Sequence, residues 1–377
     1  MRPTDSVARL SEHTTARVGG PAGTWVTAET ERQALDVLAH HPLPSAQQRA
    51  AGQDPLLVLG GGSNLLIADA GFSGTVLQLA FTGVVEEPAS ADGDGVVLTV
   101  AAGHSWDDVV AYAVERGYAG LEALSGIPGA AGATPVQNVG AYGAEVSQTL
   151  REARVWDRGA GELLTLTNEQ LEFGYRESLL KRSTVVGSPR YVVLSVRFTL
   201  KQVGTGGPSA PIRYAELARS LGLDGGAAVD QRRAPLQDVR DKVLALRAGK
   251  GMVLDPVDHD TWSTGSFFTN PIVPAAAAAA LPGGTPRFPA GEDEDGAALV
   301  KLSAAWLIDN AGCGKGFGAE LTGGRASLST KHTLAVTNRG AARTEDLLTV
   351  ARAARDRVKD RFGIELRPEP VLLGCAL

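Results

Sequence analysis

The stretch SGIPGAAGATPVQNVGAYGAEV, residues 125–146, contains five glycines and two prolines. Each glycine inside a helix or strand costs about 0.5–1 kcal/mol relative to alanine, so this density predicts loops and tight turns whose backbone can approach another group closely. Gln137, Asn138 and Tyr142 carry larger polar side chains, and we interpret them as candidates to face a ligand. A purely structural connection is the alternative, because an isolated glycine cluster is a weak signal of function.

The composition is that of an ordinary globular protein. The chain has 377 residues, of which 44% are hydrophobic and 21% charged, and this length favours two or three domains. The net charge of −6 argues against a nucleic-acid-binding surface. The two cysteines lack a CxxC partner and the histidines are scattered apart from His40–His41, so we predict neither a disulfide framework nor a metal site.

Targeting signals are not visible in the sequence. The first residues, MRPTDSVARLSEHTT, lack the apolar run of a signal peptide, and no stretch approaches the ~18 apolar residues of a membrane helix. We therefore expect a cytoplasmic protein, with no membrane or nucleic-acid partner, and a monomer.

A second glycine cluster lies upstream of the first. The short apolar run PLLVL, residues 55–59, is typical of a buried parallel strand, and it leads into Gly60, Gly61, Gly62, Ser63 and Asn64. No Gly-Lys-Ser/Thr follows, and Leu65 occupies the third glycine position of a dinucleotide fingerprint, so neither standard phosphate motif applies. A row of backbone N–H groups can still form a nest for a pyrophosphate. A simple tight turn is the alternative.

Local signals predict several element boundaries. Ser105 is expected to cap a helix that Gly117 ends, and Thr344 to cap a long helix that ends at Gly363. Residues 42–54 are interpreted as linker-like, and residues 364–374 as a terminal strand.

Three polar residues could take part in chemistry, and each has a structural alternative. Arg176 could pair with a carboxylate through two hydrogen bonds, or form a surface ion pair with Glu177. Ser266 lacks the second glycine of a GxSxG elbow, so a hydrolase triad fits poorly, and a turn hydroxyl is the alternative. Glu369 is held between two prolines and could merely pair with Arg367.

Together these segments resemble the flavin-dependent UDP-N-acetylenolpyruvoylglucosamine reductase family of bacterial cell-wall synthesis. Six stretches appear in the family's order and span nearly the whole chain: LGGGSNLL (59–66), GLEALSGIPGAAGATPVQNVGAYGAEV (120–146), FGYRESLLK (173–181), GSFFTNP (265–271), AAWLIDNAGCGKG (304–316) and LRPEPVLLG (366–374). Residues 204–217, with Tyr214, resemble the longer subgroup, in which a tyrosine-bearing loop closes over the substrate.

The resemblance implies an α+β fold. Two subdomains form an FAD-binding fold of the vanillyl-alcohol-oxidase (PCMH-like) type, and a C-terminal α+β domain binds the substrate. We assign residues 1–84 to the first subdomain, with the terminal strand 365–377 returning to it. Residues 85–250 form the second subdomain, and residues 251–364 form the substrate-binding domain.

The resemblance also implies the reaction. NADPH, the co-substrate, reduces a non-covalent FAD, which passes a hydride to the enolpyruvyl double bond of UDP-N-acetylglucosamine enolpyruvate, and the product is UDP-N-acetylmuramate. The negative charge that develops on C2 and the adjacent carboxylate needs stabilisation, and C2 needs a proton.

The family's residue roles carry over to matching positions of this sequence. Arg176 and Glu369 stabilise the developing charge, and Ser266 is the general acid. The remaining matches are contacts to the cofactor or to the substrate. The cofactor positions are Gly60, Gly61, Gly62, Ser63, Asn64, Ile127, Val136, Gln137 and Gly140. The substrate positions are Tyr142, Tyr214 and Asn270.

Two positions depart from the family pattern. Many relatives carry a serine at Ala133, so a flavin contact through that hydroxyl does not transfer. A lysine near the uridine diphosphate aligns with Met252, whereas the nearest lysine is Lys250, which leaves the diphosphate contact open.

Two alternative functions are kept. The first is another flavoenzyme of the same fold, such as an oxidase of small alcohols, although such enzymes often tether the flavin through histidine and neither glycine cluster contains one. The second is a sugar-nucleotide-binding module without activity, against which the presence of Arg176, Ser266 and Glu369 argues.

Overall fold

The computed structural model describes residues 8–89, 95–223, 225–226 and 228–377. The chain divides into two compact units. The first unit combines Ser63–Gly71 and Leu254–Leu377 with the N-terminal segment that ends at Pro21. The second unit comprises Ala22–Gly62 and Phe72–Val253. The predicted division into three domains stays a prediction.

Strands and helices alternate irregularly along the chain. The strands are β1 (Ala22–Ala28), β2 (Leu56–Leu59), β3 (Leu65–Ile67), β4 (Phe72–Leu79), β5 (Val84–Pro88), β6 (Val96–Ala101), β7 (Tyr118–Ala119), β8 (Gly140–Ala141), β9 (Ala144–Glu145), β10 (Leu150–Asp157), β11 (Glu162–Thr167), β12 (Tyr191–Gln202), β13 (Ile272–Pro274), β14 (Arg287–Glu292), β15 (Ala298–Leu302), β16 (Ala326–Leu328), β17 (Val336–Asn338) and β18 (Val371–Leu373). The helices are α1 (Glu31–Ala39), α2 (Ala46–Ala50), α3 (Trp106–Glu115), α4 (Leu179–Arg182), α5 (Ala215–Ser220), α6 (Leu236–Gly249), α7 (Ala275–Ala279), α8 (Ala304–Asn310) and α9 (Thr344–Phe362).

The second unit is built on two sheets. A parallel sheet has the order β1-β4-β2, and the apolar run of β2 lies at its edge as a largely buried strand. A larger sheet has the order β11-β10-β12-β6-β5, with β7 paired to β12. Helix α3 packs on the larger sheet through Trp106, whose ring lies 5.5 Å from that of Phe198 on β12. Both rings are fully buried, so this contact is part of the main core of the unit.

The first unit gathers short strands around α9. Its sheet has the order β13-β15-β14, β16 pairs with β17, and β18 pairs in parallel with β3. The helical spacing of five apolar residues predicts one buried face for α9, and the structure buries all five: Leu347, Leu348, Ala351, Ala354 and Val358. Gly363 ends the helix with a left-handed φ of 67°, as predicted.

One predicted helix cap is confirmed in its position, and the other is wrong. Ser105 occupies the N-cap position of α3 but makes no side-chain capping hydrogen bond. Thr344 is the first residue of α9 rather than its cap, and its hydroxyl donates to the Ile67 carbonyl oxygen at 2.6 Å. Asp346 instead accepts a hydrogen bond from the Arg343 N–H at 2.9 Å. At Thr344 a tertiary partner, the Ile67 carbonyl oxygen, thus takes the hydroxyl that local rules assign to the helix end.

The segment 42–54 is ordered by two features rather than being a linker. Ser45 and Gln48 form a capping box at the start of α2. The fully buried guanidinium of Arg158 forms a two-point ion pair with Asp54, at 2.7 and 3.0 Å, and donates to the Pro42 carbonyl oxygen at 3.3 Å. The linker-like interpretation was wrong because the partner of Asp54 lies more than a hundred residues away in the sequence.

A buried carboxylate, Asp260, organises part of the first unit. It accepts hydrogen bonds from the hydroxyls of Ser329 and Thr330, at 2.9 and 2.5 Å, and from Arg339 at 2.8 Å. Burial alone would raise the pKa of Asp260, but the hydrogen bonds from Thr330 and Ser329, together with the charge of Arg339, hold its pKa below the ordinary value. The folded state therefore favours the ionised carboxylate.

We expect Asp260→Asn to lower the free energy of unfolding at neutral pH by about 1–3 kcal/mol, because hydrogen bonds to a charged group are lost or weakened. Since the folded pKa is depressed, the contribution is present above about pH 4 and disappears as the pH falls through the folded-state pKa. Urea unfolding at pH 7 and below pH 4 measures this, and the exposed Asp356→Asn is the control. A loss that is independent of pH would contradict the ionised-carboxylate explanation.

Candidate functional site

The two glycine clusters meet in the second unit. A Cβ atom added to Gly61 would lie 2.6 Å from the Gly129 Cα atom, and one added to Gly60 would lie 3.3 Å from the Ala130 side chain. Gly61 is exposed, and Gly129 is half-buried with a φ of 126°. Backbone therefore lies against backbone at Gly61, and the small Ala130 side chain lies beside Gly60. Loops of this kind, with exposed backbone and small side chains, fit the phosphates of a dinucleotide, because successive backbone N–H groups bind anions.

We expect Gly61→Ala to weaken FAD binding, because its Cβ atom would clash with the Gly129 backbone and the loops would have to separate. Strain from such overpacking is typically about 1–3 kcal/mol. The measurement is the FAD content and FAD dissociation constant of the purified protein. Gly284→Ala is the control, since its added Cβ would meet open space. Normal FAD affinity in Gly61→Ala would contradict the close approach of the loops.

The rest of the predicted cofactor set lies on or beside these loops. Ile127 packs on the main core of the second unit, as does Val136, whose carbonyl oxygen accepts the Ser178 hydroxyl at 2.6 Å. Gln137 is half-buried, as are Ser63 and Asn64 at the start of the next segment. Their contacts to FAD stay predictions.

Arg176 stands at the tip of a tight turn in the second unit. Gly174 and Glu177 exchange backbone hydrogen bonds of 3.0 and 3.3 Å, so that Tyr175 and Arg176 form the turn. Arg176 has a left-handed φ of 54°, which is uncommon for a residue with a side chain. Its guanidinium donates to the carbonyl oxygens of Asn138 and Gly140, at 3.3 and 2.8 Å. Backbone strain at an arginine with a held side chain is typical of functional sites.

Asn138 does not face a ligand, in contrast to the sequence-based hypothesis. Its side chain is 1% exposed, and its carboxamide is fully engaged within the protein. The amide donates to the Gly174 carbonyl oxygen at 3.0 Å and to Glu145 at 3.2 Å. The side-chain oxygen accepts the Ser147 N–H at 3.1 Å.

Ser266 and Glu369 are brought together within the first unit. The Glu369 N–H donates to the Phe267 carbonyl oxygen at 2.9 Å, and Phe268 pairs with Pro368 in an antiparallel bridge. The rings of Phe267 and Phe268 are buried and in edge contact at 5.1 Å, which anchors the half-buried Ser266 at the edge of the core. The segments that carry the two candidate catalytic residues are therefore neighbours.

The second glycine cluster, residues 60–64, also contacts the Glu369 segment. The Asn64 side-chain amide donates to the Glu369 carbonyl oxygen at 3.4 Å, and the Asn64 carbonyl oxygen accepts the Val371 N–H at 3.0 Å. Asn270, predicted to bind substrate, directs its side-chain oxygen to the Ala304 N–H at 2.9 Å, at the start of α8. Part of its hydrogen-bonding capacity therefore serves the fold.

Tyr142 and Tyr214 meet in the second unit. Their rings are in edge contact at 5.4 Å, and the Lys250 ammonium lies 5.8 Å from the Tyr142 ring. Lys250 also pairs with Glu216 at 2.7 Å. Burial raises the pKa of Tyr142 to about 12, so its hydroxyl remains a hydrogen-bond donor at neutral pH.

Arg247 is a cation close enough to Tyr142 to interact with it electrostatically, and it was not predicted from the sequence. Burial lowers the pKa of Arg247 to about 10, so the group stays charged at neutral pH. One terminal nitrogen donates to the Met252 carbonyl oxygen at 2.7 Å, while Nε is buried and has no partner among the described residues. The helical spacing of Val239, Val243 and Leu246 predicts α6, but no sequence signal shows that Arg247 is buried.

Two further searches cover the described part of the chain. Within those residues, no three His, Cys, Asp or Glu side chains are placed to hold a metal ion. Over the same residues, none of the helices combines the length and apolar character needed to cross a membrane.

Two regions of the chain match models of known protein families, and nearly the whole chain matches known proteins. Residues 46–167 match a family model described as an FAD-binding domain, and residues 255–373 match the C-terminal domain of UDP-N-acetylenolpyruvoylglucosamine reductase. The reductase of Saccharopolyspora erythraea is 51% identical over 98% of this chain and 95% of its own length. That of Streptomyces coelicolor is 49% identical over 98% and 90%.

A solved structure agrees with these matches. The crystal structure of UDP-N-acetylenolpyruvylglucosamine reductase from Thermus caldophilus superposes with a TM-score of 0.61, at 25% identity and over 98% of each chain. The predicted FAD-binding α+β fold, the FAD cofactor and the oxidoreductase class are thereby confirmed. The chain belongs to the UDP-N-acetylenolpyruvoylglucosamine reductase family.

Proposed function

We propose that this protein reduces the enolpyruvyl double bond of UDP-N-acetylglucosamine enolpyruvate to form UDP-N-acetylmuramate, with NADPH as the reductant. When bound, FAD supplies the hydride that the substrate receives. The observation that carries the proposal lies in the first unit. Asn64 of the second glycine cluster, residues 60–64, contacts the Glu369 backbone, which in turn pairs with the residue after Ser266. A cofactor loop and two candidate catalytic residues are thus neighbours.

The reaction creates a charge that the protein must stabilise. Hydride addition to the terminal carbon leaves negative charge on C2, and this charge spreads into the adjacent carboxylate. In the proposal, Arg176 pairs with that carboxylate through its planar guanidinium, which suits two-point binding. Hydrogen bonds to the carbonyl oxygens of Asn138 and Gly140 orient its guanidinium. Glu369 assists by hydrogen bonding to the same enolate-like species.

A proton must then reach C2, and we assign its donation to Ser266. A serine hydroxyl is a poor acid in water, so the surroundings must polarise it and exclude solvent. The neighbouring Phe267 and Phe268 are each 1% exposed, which supports a site with little water.

The substrate's nucleotide needs an aromatic surface and cationic groups. Tyr142 and Tyr214 form the aromatic pair, and Lys250 lies beside them. The protonated hydroxyl of Tyr142 is a donor suited to a phosphate oxygen. In the proposal these residues and Asn270 bind the substrate, and Lys250 is the candidate for the diphosphate.

An anaerobic titration tests the function. NADPH is added first, and the flavin absorbance is expected to bleach. The enolpyruvyl sugar nucleotide is added next, and the absorbance is expected to return as UDP-N-acetylmuramate forms. Bleaching without reoxidation would overturn the proposed substrate. If NADH bleached the flavin and NADPH did not, the proposed reductant would be wrong.

A further inference from the structure

The turn that carries Arg176 is tied to the stretch 136–140 on both of its sides. Before the turn, the Asn138 side-chain amide donates to the Gly174 carbonyl oxygen at 3.0 Å. After the turn, the Ser178 hydroxyl donates to the Val136 carbonyl oxygen at 2.6 Å. In the same stretch, the carbonyl oxygens of Asn138 and Gly140 accept hydrogen bonds from the Arg176 guanidinium. The stretch therefore holds both ends of the turn and the side chain between them.

Asn138 contributes to this arrangement through its backbone and its side chain together. Its carbonyl oxygen accepts from Arg176 at 3.3 Å. The direction of this carbonyl depends on the left-handed backbone of Asn138, whose φ is 46°. Asparagine adopts that conformation more readily than most residues. Its carboxamide then reaches Gly174, Glu145 and Ser147, which fixes the peptide whose carbonyl faces Arg176.

The required chemistry explains why asparagine stands here. The carboxamide uses one acceptor and two donors, and neither glycine nor aspartate offers that set. Glycine would keep the left-handed backbone but remove all three hydrogen bonds. Aspartate would keep the volume and accept from Ser147, but its oxygens would face the Gly174 carbonyl and the Glu145 carboxylate without a proton to share.

We propose that Asn138 is a positioning residue for Arg176: it fixes the direction of the guanidinium without contacting the substrate. This inference rests on the proposed role of Arg176 in binding the substrate carboxylate. A misplacement of about 1 Å can cost about a hundredfold in rate, so the loss expected from freeing the turn is about 10- to 100-fold.

The test is a double-mutant cycle on the reoxidation of reduced flavin by the enolpyruvyl sugar nucleotide, measured on FAD-loaded protein. We expect Asn138→Gly to slow reoxidation about 10- to 100-fold while bleaching by NADPH changes little. In an Arg176→Ala background, Asn138→Gly is expected to add no further loss, because the residue it positions is gone. We expect Asn138→Asp to be slower than Asn138→Gly.

Asn168→Ala is the matched control. Its carboxamide also joins backbone segments of the second unit, donating to the carbonyl oxygens of Ser147 and Leu150 at 2.8 and 2.7 Å. We expect a similar loss of stability in this variant and normal reoxidation.

The outcomes separate the inference from the proposed function. An equal loss from Asn138→Gly with and without Arg176 would overturn the positioning role, as would normal reoxidation in Asn138→Asp. Normal reoxidation in Arg176→Ala alone would overturn the proposed role of Arg176, and the inference with it. If Asn138→Gly does not retain FAD, Asn138→Asp, which preserves the side-chain volume, replaces it in the cycle.

Discussion

Ser266→Ala is expected to slow reoxidation of the reduced flavin by the enolpyruvyl sugar nucleotide by about 10²- to 10⁴-fold, the usual contribution of a general acid. Bleaching by NADPH is expected to remain largely intact, because that step needs no proton at the substrate's C2. Since Ser266 is half-buried beside two anchored phenylalanines, removal of one oxygen is expected to leave the fold unchanged. Stopped-flow absorbance of the two half-reactions measures both rates.

A second serine of the same unit provides the control. The Ser303 hydroxyl accepts the Trp306 N–H at 3.2 Å and caps α8. Ser303→Ala is expected to cost about 1 kcal/mol of stability and to leave both half-reactions at normal rates. If Ser266→Ala slowed both half-reactions equally, Ser266 would be a structural residue and the assignment of the acid would be wrong.

Arg176→Ala is expected to slow the same reoxidation by about 10²- to 10³-fold, the usual effect of losing a group that stabilises a developing charge. Arg176→Lys is also expected to be slow, because an ammonium group cannot reproduce the planar fork of the guanidinium. The rate of reoxidation at saturating and limiting substrate shows whether binding or the chemical step is affected.

The exposed Arg182→Lys is the control, since Arg182 forms an ion pair with Glu172 at the protein surface. We expect Arg182→Lys to show the same rate of reoxidation as the unaltered protein. Near-normal turnover in Arg176→Lys would show that a point charge suffices at this position. Near-normal turnover in Arg176→Ala would show that Arg176 has no role in the mechanism.

Local patterns predicted much of the secondary structure because they depend on neighbouring residues. The apolar spacing of α9 and the stop at Gly363 are both confirmed. Caps were less predictable, because a hydroxyl such as that of Thr344 has several acceptors within reach, and the tertiary fold selected the Ile67 carbonyl oxygen. The ordered segment 42–54 was missed for the same reason, since Asp54 is fixed by the remote Arg158.

The sequence predicted which residues belong to the candidate site, but not which contacts hold them in place. Arg176, Ser266 and Glu369 were named from motifs, and their roles stay predictions. Asn138 was assigned toward a ligand, whereas the structure buries it under the Arg176 turn. A polar residue in a glycine-rich loop looks the same in the sequence whether it faces a ligand or a backbone carbonyl.

The sequence by itself determined the family, the presence of an FAD-binding domain and the local periodicity of the main elements, because motif order, glycine density and apolar spacing are properties of the chain. Only the tertiary structure decided that Gly61 lies against Gly129, that Ser266 lies beside the Glu369 segment, and that Arg176 is held by the carbonyls of stretch 136–140. These contacts join segments far apart in the sequence. Their geometry depends on backbone hydrogen bonds and packing that no local pattern encodes.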